Sequence, residues 1–282
     1  MRIIAAIVLL GLLMATPANA APGGGYVALG DSYASGPGIP DQTGLPAGCT
    51  RSNHNYPSLL AQWLHLRNFT DVSCGGARTV DMTAPQQVQG GTNPAQFTAL
   101  KKDTSLVTVM IGGNDIGFGE ILATCGRLAA QDPAGNPCEQ HYKATGKDEL
   151  AARVAAVGPK IAAVLDGIRQ RSPRAHIVVV GYLRILPAQG SCFPQVPFAT
   201  GDGPYFDGIG QLLNRQLATQ ARRHGASFVN PYAFSSGHDA CQPPDRKWVE
   251  GLNPTSPAAP MHPNAKGMLV VAALAVPSIL LG

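Results

Sequence analysis

Short runs of apolar residues, bounded by glycine or by polar turn residues, recur along this chain. Runs of about four to eight residues rich in β-branched side chains are typical of buried strands. The clearest is Leu106–Ile111, which Gly112-Gly113 terminates. Together the runs predict five strands: Val27–Leu29, Phe69–Ser73, Leu106–Ile111, His176–Gly181 and Ala226–Asn230.

Between these runs, apolar residues recur at the spacing of an α-helix. A long helix is predicted over Glu149–Arg171, with a bend at Gly158-Pro159, because proline lacks the N–H that a helix interior needs. Strands that alternate with helices over this length predict an α/β fold, with a mostly parallel sheet and helices on both faces. The other predicted helices are Tyr56–Leu64, a short one within Ala95–Lys101, Tyr205–His224 and a packed terminal helix, Met268–Leu281.

The connecting segments are rich in glycine and proline and are predicted to be irregular. One of them, Pro187–Pro204, carries three large apolar residues, Phe193, Val196 and Phe198. Two interpretations stay open for it: the loop forms one wall of a substrate pocket, or it covers the core. The other long irregular segments are Gly36–Asn55 and Ser235–Pro260, and a further loop lies between Cys125 and Cys138.

The first twenty residues differ in pattern from the rest of the chain. One basic residue, Arg2, precedes an apolar run over Ile3–Ala15, and Ala18-Asn19-Ala20 follows. This arrangement is typical of a secretory signal peptide, so we predict cleavage after Ala20 and an extracellular or cell-envelope location. An uncleaved anchor is the alternative. The apolar run and Met268–Leu281 are both too short to span a bilayer, so no membrane segment is expected in the mature chain.

Charge and composition argue against some classes of partner. The net charge is +4, it falls to +3 without Arg2, and no basic run is concentrated anywhere, which argues against nucleic acid. No linker divides the chain into halves and no internal repeat is found, so residues 21–282 are expected to form a single domain. A monomer is expected.

Six cysteines are present in what we predict to be an exported protein. An even number in an oxidising compartment favours disulfides over metal binding or thiol catalysis. No Cys-x-x-Cys pair suggests zinc. Spacing alone leaves about 15 pairings open among Cys49, Cys74, Cys125, Cys138, Cys192 and Cys241.

Three short blocks follow predicted strands directly. They are Gly30-Asp31-Ser32, the Cys-Gly-Gly-Ala block that contains Gly76, and Gly112-Gly113-Asn114-Asp115. Strands of a parallel sheet place their ligands beyond their carboxyl ends, so we expect Ser32, Gly76 and Asn114 to converge. Each block taken alone is typical of an ordinary turn.

With His262-Pro263-Asn264, these blocks contain the parts of a serine hydrolase site. A serine hydroxyl becomes a nucleophile when a base takes its proton, and imidazole is the usual base near neutral pH. Ser32 is the predicted nucleophile and His262 the predicted base. The oxyanion that develops needs hydrogen-bond donors, which we assign to the N–H groups of Ser32 and Gly76 and the side-chain amide of Asn114.

These four blocks resemble the motif regions of the GDSL, or SGNH, hydrolase superfamily, at a spacing that covers nearly the whole mature chain. The strongest resemblance is to secreted three-disulfide esterases and lipases of actinobacteria. It implies a three-layer α/β/α sandwich and hydrolysis of carboxylic esters without a metal or cofactor. It also implies that cysteines pair with their neighbours in sequence: Cys49–Cys74, Cys125–Cys138 and Cys192–Cys241.

One position departs from the family's pattern. Members usually carry aspartate three residues before the histidine, where this chain has Ala259. An acceptor for Nδ1–H sets the tautomer of a catalytic histidine. We predict a dyad in which the main-chain carbonyl of Ala259 orients His262. The competing prediction is a carboxylate from the preceding loop, with three candidates: Asp239, Asp245 and Glu250.

The preferred functional interpretation is a secreted serine esterase or lipase that acts on lipid or other small acyl esters. A deacetylase of acetylated glycans is the alternative among enzymes. A cell-surface binding protein without turnover is the alternative outside them. The presence of Ser32, Gly76, Asn114 and His262 together argues against the binding protein.

Overall fold

The computed structural model describes residues 24–281 and is built around a parallel sheet. The seven strands in this part of the chain are β1 (Tyr26–Gly30), β2 (Phe69–Asp71), β3 (Gln86–Val88), β4 (Gly91–Asn93), β5 (Leu106–Met110), β6 (His176–Val180) and β7 (Ser227–Val229). Five of them form the sheet, in the order β2-β1-β5-β6-β7, and every neighbouring pair is parallel. The remaining two, β3 and β4, form an antiparallel hairpin.

Helices flank this sheet in two packed pairs. The α-helices are α1 (Ser32–Ser35), α2 (Tyr56–Trp63), α3 (Phe118–Ala129), α4 (Pro137–Tyr142), α5 (Glu149–Arg171), α6 (Gly203–Arg223), α7 (Pro231–Phe234) and α8 (Ala265–Leu280). Helix α2 packs on α8, α5 packs on α6, and both α6 and α8 contact the strands β6 and β7. The predicted α/β/α architecture is confirmed.

The unbroken apolar runs of the sequence correspond to the strands at the centre of the sheet, which are buried. Every residue of β1 and β5 is buried, whereas the edge strand β2 is only partly covered. Full burial of a Val, Leu or Ile side chain contributes about 1.5–3 kcal/mol, so uninterrupted apolar runs favour the centre of the sheet. The buried apolar residues of the described chain form one contiguous core cluster.

The register of β1 and β5 brings their carboxyl ends to the same level. Gly30 lies opposite Met110, so the chain leaves both strands at one edge of the sheet. Gly30 has a φ of 158°, and a Cβ there would lie 2.6 Å from Cβ of Ala34. The buried side chain of Gln96 pairs with both peptide groups of Gly30, at 2.8 and 2.9 Å. Glycine is therefore required for the sharp turn into α1.

Several helices differ from the prediction, which did not include the short helices α1, α4 and α7. Helix α3 was not predicted, because Gly119 and Gly126 lower its helix propensity. A Cβ at Gly126 would lie 3.2 Å from Cβ of Pro197, so glycine lets the loop Pro187–Pro204 approach α3 closely. Helix α8 begins at Ala265, three residues before the predicted start, because the side chain of Asn264 accepts from the N–H of Gly267 at 3.1 Å and caps it.

The ends of the chain and its disulfides complete the description. The predicted signal peptide, residues 1–20, lies outside the described residues. Across residues 24–281, no helix has the length and apolar character needed to cross a membrane. The structure places the three disulfides at Cys49–Cys74, Cys125–Cys138 and Cys192–Cys241, the pairs that the resemblance implies.

Candidate active site

Ser32 and His262 come together at the carboxyl edge of the sheet. Nε2 of His262 lies 2.8 Å from Oγ of Ser32, although the two residues are 230 positions apart. Ser32 is the first residue of α1, and the side chain of Asp31 caps that helix by accepting from the N–H of Tyr33 at 2.9 Å. The distance is that of a serine hydrogen-bonded to a histidine base.

The ring of His262 is oriented by Pro260. Nδ1 lies 2.7 Å from the main-chain oxygen of Pro260, so the prediction that Ala259 supplies this carbonyl is wrong. Met261 has a left-handed φ of 60°, and the chain folds back over residues 259–262. In that tight turn the carbonyl of Ala259 accepts from the main-chain N–H of His262 at 3.3 Å, which leaves the next carbonyl to meet the ring.

None of the three candidate carboxylates meets Nδ1. Glu250 is fully buried and accepts hydrogen bonds from Thr255, Ser256 and Asn264. Asp239 accepts from the N–H of Cys241 at 3.0 Å, and Asp245 is exposed to solvent. The acceptor at Nδ1 is therefore a neutral carbonyl.

The surroundings of His262 favour its neutral form. Burial lowers the pKa of the imidazole, and the hydrogen bond to the carbonyl of Pro260 opposes this only in part. A carbonyl can only accept, so the ring proton sits on Nδ1 and Nε2 is free to accept from Ser32. The rings of Tyr33 and Phe118 lie 5.1 and 6.3 Å from the imidazole centroid and confine it.

Two loops that carry predicted oxyanion donors are tied to each other. Nδ2 of Asn114 donates to the carbonyl of Ala77 at 2.9 Å. The carboxylate of Asp115 accepts from the N–H and hydroxyl of Thr79, at 2.9 and 2.6 Å. On the other side of Gly76, the N–H of Gly75 donates to the carbonyl of Cys49 at 3.0 Å, beside the Cys49–Cys74 disulfide. The positions of Gly76 and Asn114 are thus coupled.

The main-chain N–H groups of Ser32 and Gly76 have no protein acceptor among residues 24–281. Gly76 has a φ of 74°, and the nearest atom to an added Cβ would be Nε2 of Gln86 at 3.8 Å. The position of an added Cβ at Gly76 is therefore uncrowded. The amide of Asn114 has a second N–H bond besides the one that donates to Ala77, so it can donate to one further acceptor.

An apolar cleft that is open to solvent begins at Ser32 and Asn114. Its apolar wall includes Ile116, Phe118, Leu186, Phe206, Ile209 and Leu213. Phe193, Val196 and Phe198 do not line it. Val196 and Phe198 are fully buried, and the ring of Phe198 lies 4.3 Å from that of Phe206. The interpretation of their loop as a pocket wall is wrong, and the interpretation that it covers the core is the one the structure supports.

Two site residues were missed by the sequence analysis. Pro260 contacts His262 through its main-chain carbonyl, which leaves no side-chain signal in the sequence. Tyr182 follows Gly181 at the carboxyl end of β6, so the rule that found Ser32 and Asn114 applies to it equally. Within the described range, no three His, Cys, Asp or Glu side chains are grouped so that they could hold a metal ion.

Residues 28–270 match the GDSL-like Lipase/Acylhydrolase family, and the chain belongs to that family. It is therefore a carboxylic ester hydrolase. The chain is 39% identical to Lipase 2 of Streptomyces coelicolor over 257 residues, which cover 90% of this chain and 85% of that lipase.

Two solved structures are similar over nearly their whole length. Phospholipase A1 from Streptomyces albidoflavus superposes with a TM-score of 0.74, and the extracellular lipase from Streptomyces rimosus with 0.69. Each is 29% identical in sequence, and each match covers 91% of this chain and 99% of the other.

Proposed function

We propose that this chain is a secreted serine esterase of the lipase type that hydrolyses carboxylic esters through an acyl-enzyme on Ser32. The contact of 2.8 Å between Nε2 of His262 and Oγ of Ser32 carries the proposal. Serine oxygen is a poor nucleophile until a base takes its proton, and within residues 24–281 the imidazole of His262 is the base hydrogen-bonded to it. The membership in an acylhydrolase family supports the same chemistry.

In the first half-reaction, Oγ of Ser32 attacks the carbonyl carbon of the ester while Nε2 of His262 takes the hydroxyl proton. The carbonyl oxygen becomes an oxyanion, for which the N–H groups of Ser32 and Gly76 and the amide of Asn114 are the donors. Collapse of the tetrahedral intermediate breaks the ester C–O bond. The imidazolium then gives its proton to the departing alkoxide, which leaves as the alcohol.

In the second half-reaction, His262 takes a proton from water, and the hydroxide attacks the acyl carbon. The bond to Oγ breaks and Ser32 recovers the proton. The Pro260 carbonyl holds the ring throughout and stabilises the imidazolium in place of the usual carboxylate. Because a neutral acceptor stabilises a cation less than a carboxylate does, we expect this contribution to be weaker than in a triad.

The apolar cleft beside Ser32 supports an acyl chain as the part of the substrate that is bound. Apolar side chains of α6 and of the segments after β5 and β6 line it. Burying a methylene group there contributes about 0.8 kcal/mol, so longer chains gain affinity. An acetyl group can contact only a small part of this apolar wall, so we place glycan deacetylation second. The similar phospholipase A1 and lipases support lipid esters as substrates.

Export is part of the proposal. The pattern of residues 1–20, the three disulfides and the similarity to an extracellular lipase support a chain that is cleaved after Ala20 and secreted. Intact mass of protein purified from culture medium tests this. Secreted protein that begins at Ala21 is expected, and retention of the first twenty residues contradicts it.

A fluorophosphonate probe tests the proposed nucleophile. Wild-type protein is expected to be labelled at Ser32 and to lose ester turnover in step, whereas Ser32→Ala is not labelled. Ser35→Ala is the matched control, because Ser35 is buried on the same short helix and its hydroxyl has no partner within the described residues. Labelling elsewhere, or turnover by Ser32→Ala, contradicts the proposal. A series of p-nitrophenyl esters beside acetylated xylan then separates the lipase from the deacetylase.

A further inference from the structure

We propose that Tyr182 is a positioning residue that sets the nucleophile and the oxyanion donor Asn114 at their mutual distance. This inference rests on the proposed function and assigns to the site a residue that lies outside its four sequence blocks. A single hydroxyl group makes the link. It contacts the residue immediately before Ser32 and the residue immediately before Asn114.

The hydrogen bonds of this hydroxyl have fixed directions. The hydroxyl of Tyr182 donates to the carboxylate of Asp31 and accepts from the N–H of Gly113 at 2.8 Å. A carboxylate can only accept and a peptide N–H can only donate, so neither bond can reverse while Asp31 is ionised. Because Asp31 also caps the helix that begins at Ser32, the bridge joins the nucleophile to the loop that follows β5.

The ring that presents this hydroxyl is itself firmly placed. The main-chain N–H of Tyr182 donates to the buried side chain of Asn214 at 2.9 Å, and Asn214 donates back to its carbonyl at 3.3 Å. Tyr182 is only 7% exposed, and its ring packs edge-on against that of Tyr33, with 5.3 Å between the centroids. A Cβ at Gly113 would lie 3.2 Å from the ring, so glycine permits this close approach. These contacts suit a fixed reference point rather than a mobile side chain.

The ionisation of Asp31 controls the bridge. Burial raises the pKa of this carboxyl to about 7, although the hydrogen bonds from Tyr182 and from the N–H of Tyr33 lower it. The charge of Asp115 also raises it, while the nearby hydroxyls of Tyr33 and Tyr56 stay neutral because burial raises their own pKa values. A protonated Asp31 carries an O–H donor, so the hydroxyl of Tyr182 loses its ionised acceptor and the charge-assisted hydrogen bond to it. The linkage is therefore at full strength well above pH 7 and weakens as the pH falls through 7.

Replacing the hydroxyl alone tests the proposal. In Tyr182→Phe we expect kcat to fall by about ten- to a hundredfold with KM within about twofold, because misplacement of reacting groups costs rate rather than binding. The matched control is Tyr26→Phe, which removes another fully buried tyrosine hydroxyl, bonded to Thr108 at 2.9 Å near the opposite end of β1. Both variants are expected to be less stable in thermal unfolding, but only Tyr182→Phe changes kcat.

The pH profile gives a readout that a merely structural role does not move. In Tyr182→Phe no bridge remains for Asp31 to control, so the acid limb of kcat/KM no longer follows Asp31 and moves down toward that of His262. In Asp31→Asn the titrating group is absent, and the limb moves down to that of His262, below the ordinary value for histidine. Tyr26→Phe keeps the wild-type limb.

The outcomes separate this inference from the proposed function. If wild-type protein is not labelled at Ser32 by a fluorophosphonate, the proposed function fails and Tyr182 has nothing to position. The positioning role is refuted if wild-type protein is labelled but Tyr182→Phe retains the wild-type kcat, and Tyr182→Phe and Asp31→Asn both retain the wild-type acid limb. A fall in kcat equal to that of Tyr26→Phe, with no movement of the limb, also refutes it.

Discussion

Replacing Glu250 by glutamine separates two roles of a buried carboxylate in the loop before His262. The fold role is visible in its contacts. One carboxylate oxygen accepts from Ser256 and Asn264, at 2.5 and 2.8 Å, and the other from the N–H and hydroxyl of Thr255, at 2.8 and 3.0 Å. The catalytic role would need a bond to Nδ1 of His262, which is instead made by Pro260.

The loss of stability in Glu250→Gln depends on which of the surrounding hydrogen-bond donors can become acceptors. The amide group of the new glutamine must replace one acceptor oxygen, and the hydroxyls of Ser256 and Thr255 can rotate to accept from it. The amide of Asn264 and the N–H of Thr255 cannot. In either orientation, one buried donor faces another donor, and Lys247, whose Nζ lies 3.8 Å from the carboxylate, loses its ion-pair partner. We therefore expect a loss of about 3–5 kcal/mol in the free energy of unfolding. The midpoint temperature of thermal unfolding, Tm, is then expected to fall by about 2–4 °C for each kcal/mol of stability lost.

Acid titration adds a signed check on the same carboxylate. Burial on its own raises the pKa of Glu250, but the hydrogen bonds from Asn264, Ser256 and Thr255 together lower it. The stability that this group contributes is therefore present above its unfolded-state pKa and is lost as the pH falls through the lowered value in the folded protein. The stability of Glu250→Gln is expected to fall less steeply on acidification than that of wild-type protein.

Steady-state kinetics decides between the two roles. We expect kcat/KM of Glu250→Gln to stay within about tenfold of wild type, whereas neutralising a triad carboxylate costs about 10⁴-fold. Asp202→Asn is the matched control, because Asp202 is also fully buried and accepts from the N–H groups of Cys138 and Glu139. A folded Glu250→Gln protein that loses about 10⁴-fold in kcat/KM refutes the dyad.

Two further predictions concern the oxyanion loops. Asn114→Ala is expected to lower kcat by about 10²–10³-fold, the usual loss for one oxyanion donor, with a smaller change in stability; unchanged kcat removes Asn114 from the site. Replacing Cys49 and Cys74 together by serine opens a link that spans 25 residues and is expected to cost about 2–4 kcal/mol in urea unfolding. That variant is also expected to lose kcat, because the bridge adjoins Gly75 and Gly76, and full activity in a destabilised variant refutes the coupling.

The sheet was predictable because its strands are buried on both faces. Unbroken apolar runs such as Leu106–Ile111 leave few other structures open to them, and glycine marked the ends of several. Helix α3 and the hairpin of β3 and β4 were not predicted, because both contain glycines that weaken the local preference for helix or strand.

The site was predictable where a side chain does the work and not where a main-chain group does. Ser32 and His262 could be predicted from their residue types and motifs, and the structure brings them together. The acceptor for Nδ1 depends on a left-handed residue, Met261, which decides whether the carbonyl of Ala259 or of Pro260 reaches the ring. A one-residue choice of this kind is set by the packing of the whole loop, so the sequence pattern alone did not specify it.

Trapping the acyl-enzyme formed from a true substrate tests the central claim most directly. Wild-type protein is mixed with an excess of a medium-chain p-nitrophenyl ester, quenched in acid within the first turnover, digested and mapped by mass spectrometry. We predict one acylated peptide, modified at Ser32, that forms in step with a burst of p-nitrophenol and is absent from Ser32→Ala. Ester turnover that proceeds without an acyl group on Ser32, or with the acyl group on another residue, contradicts the account.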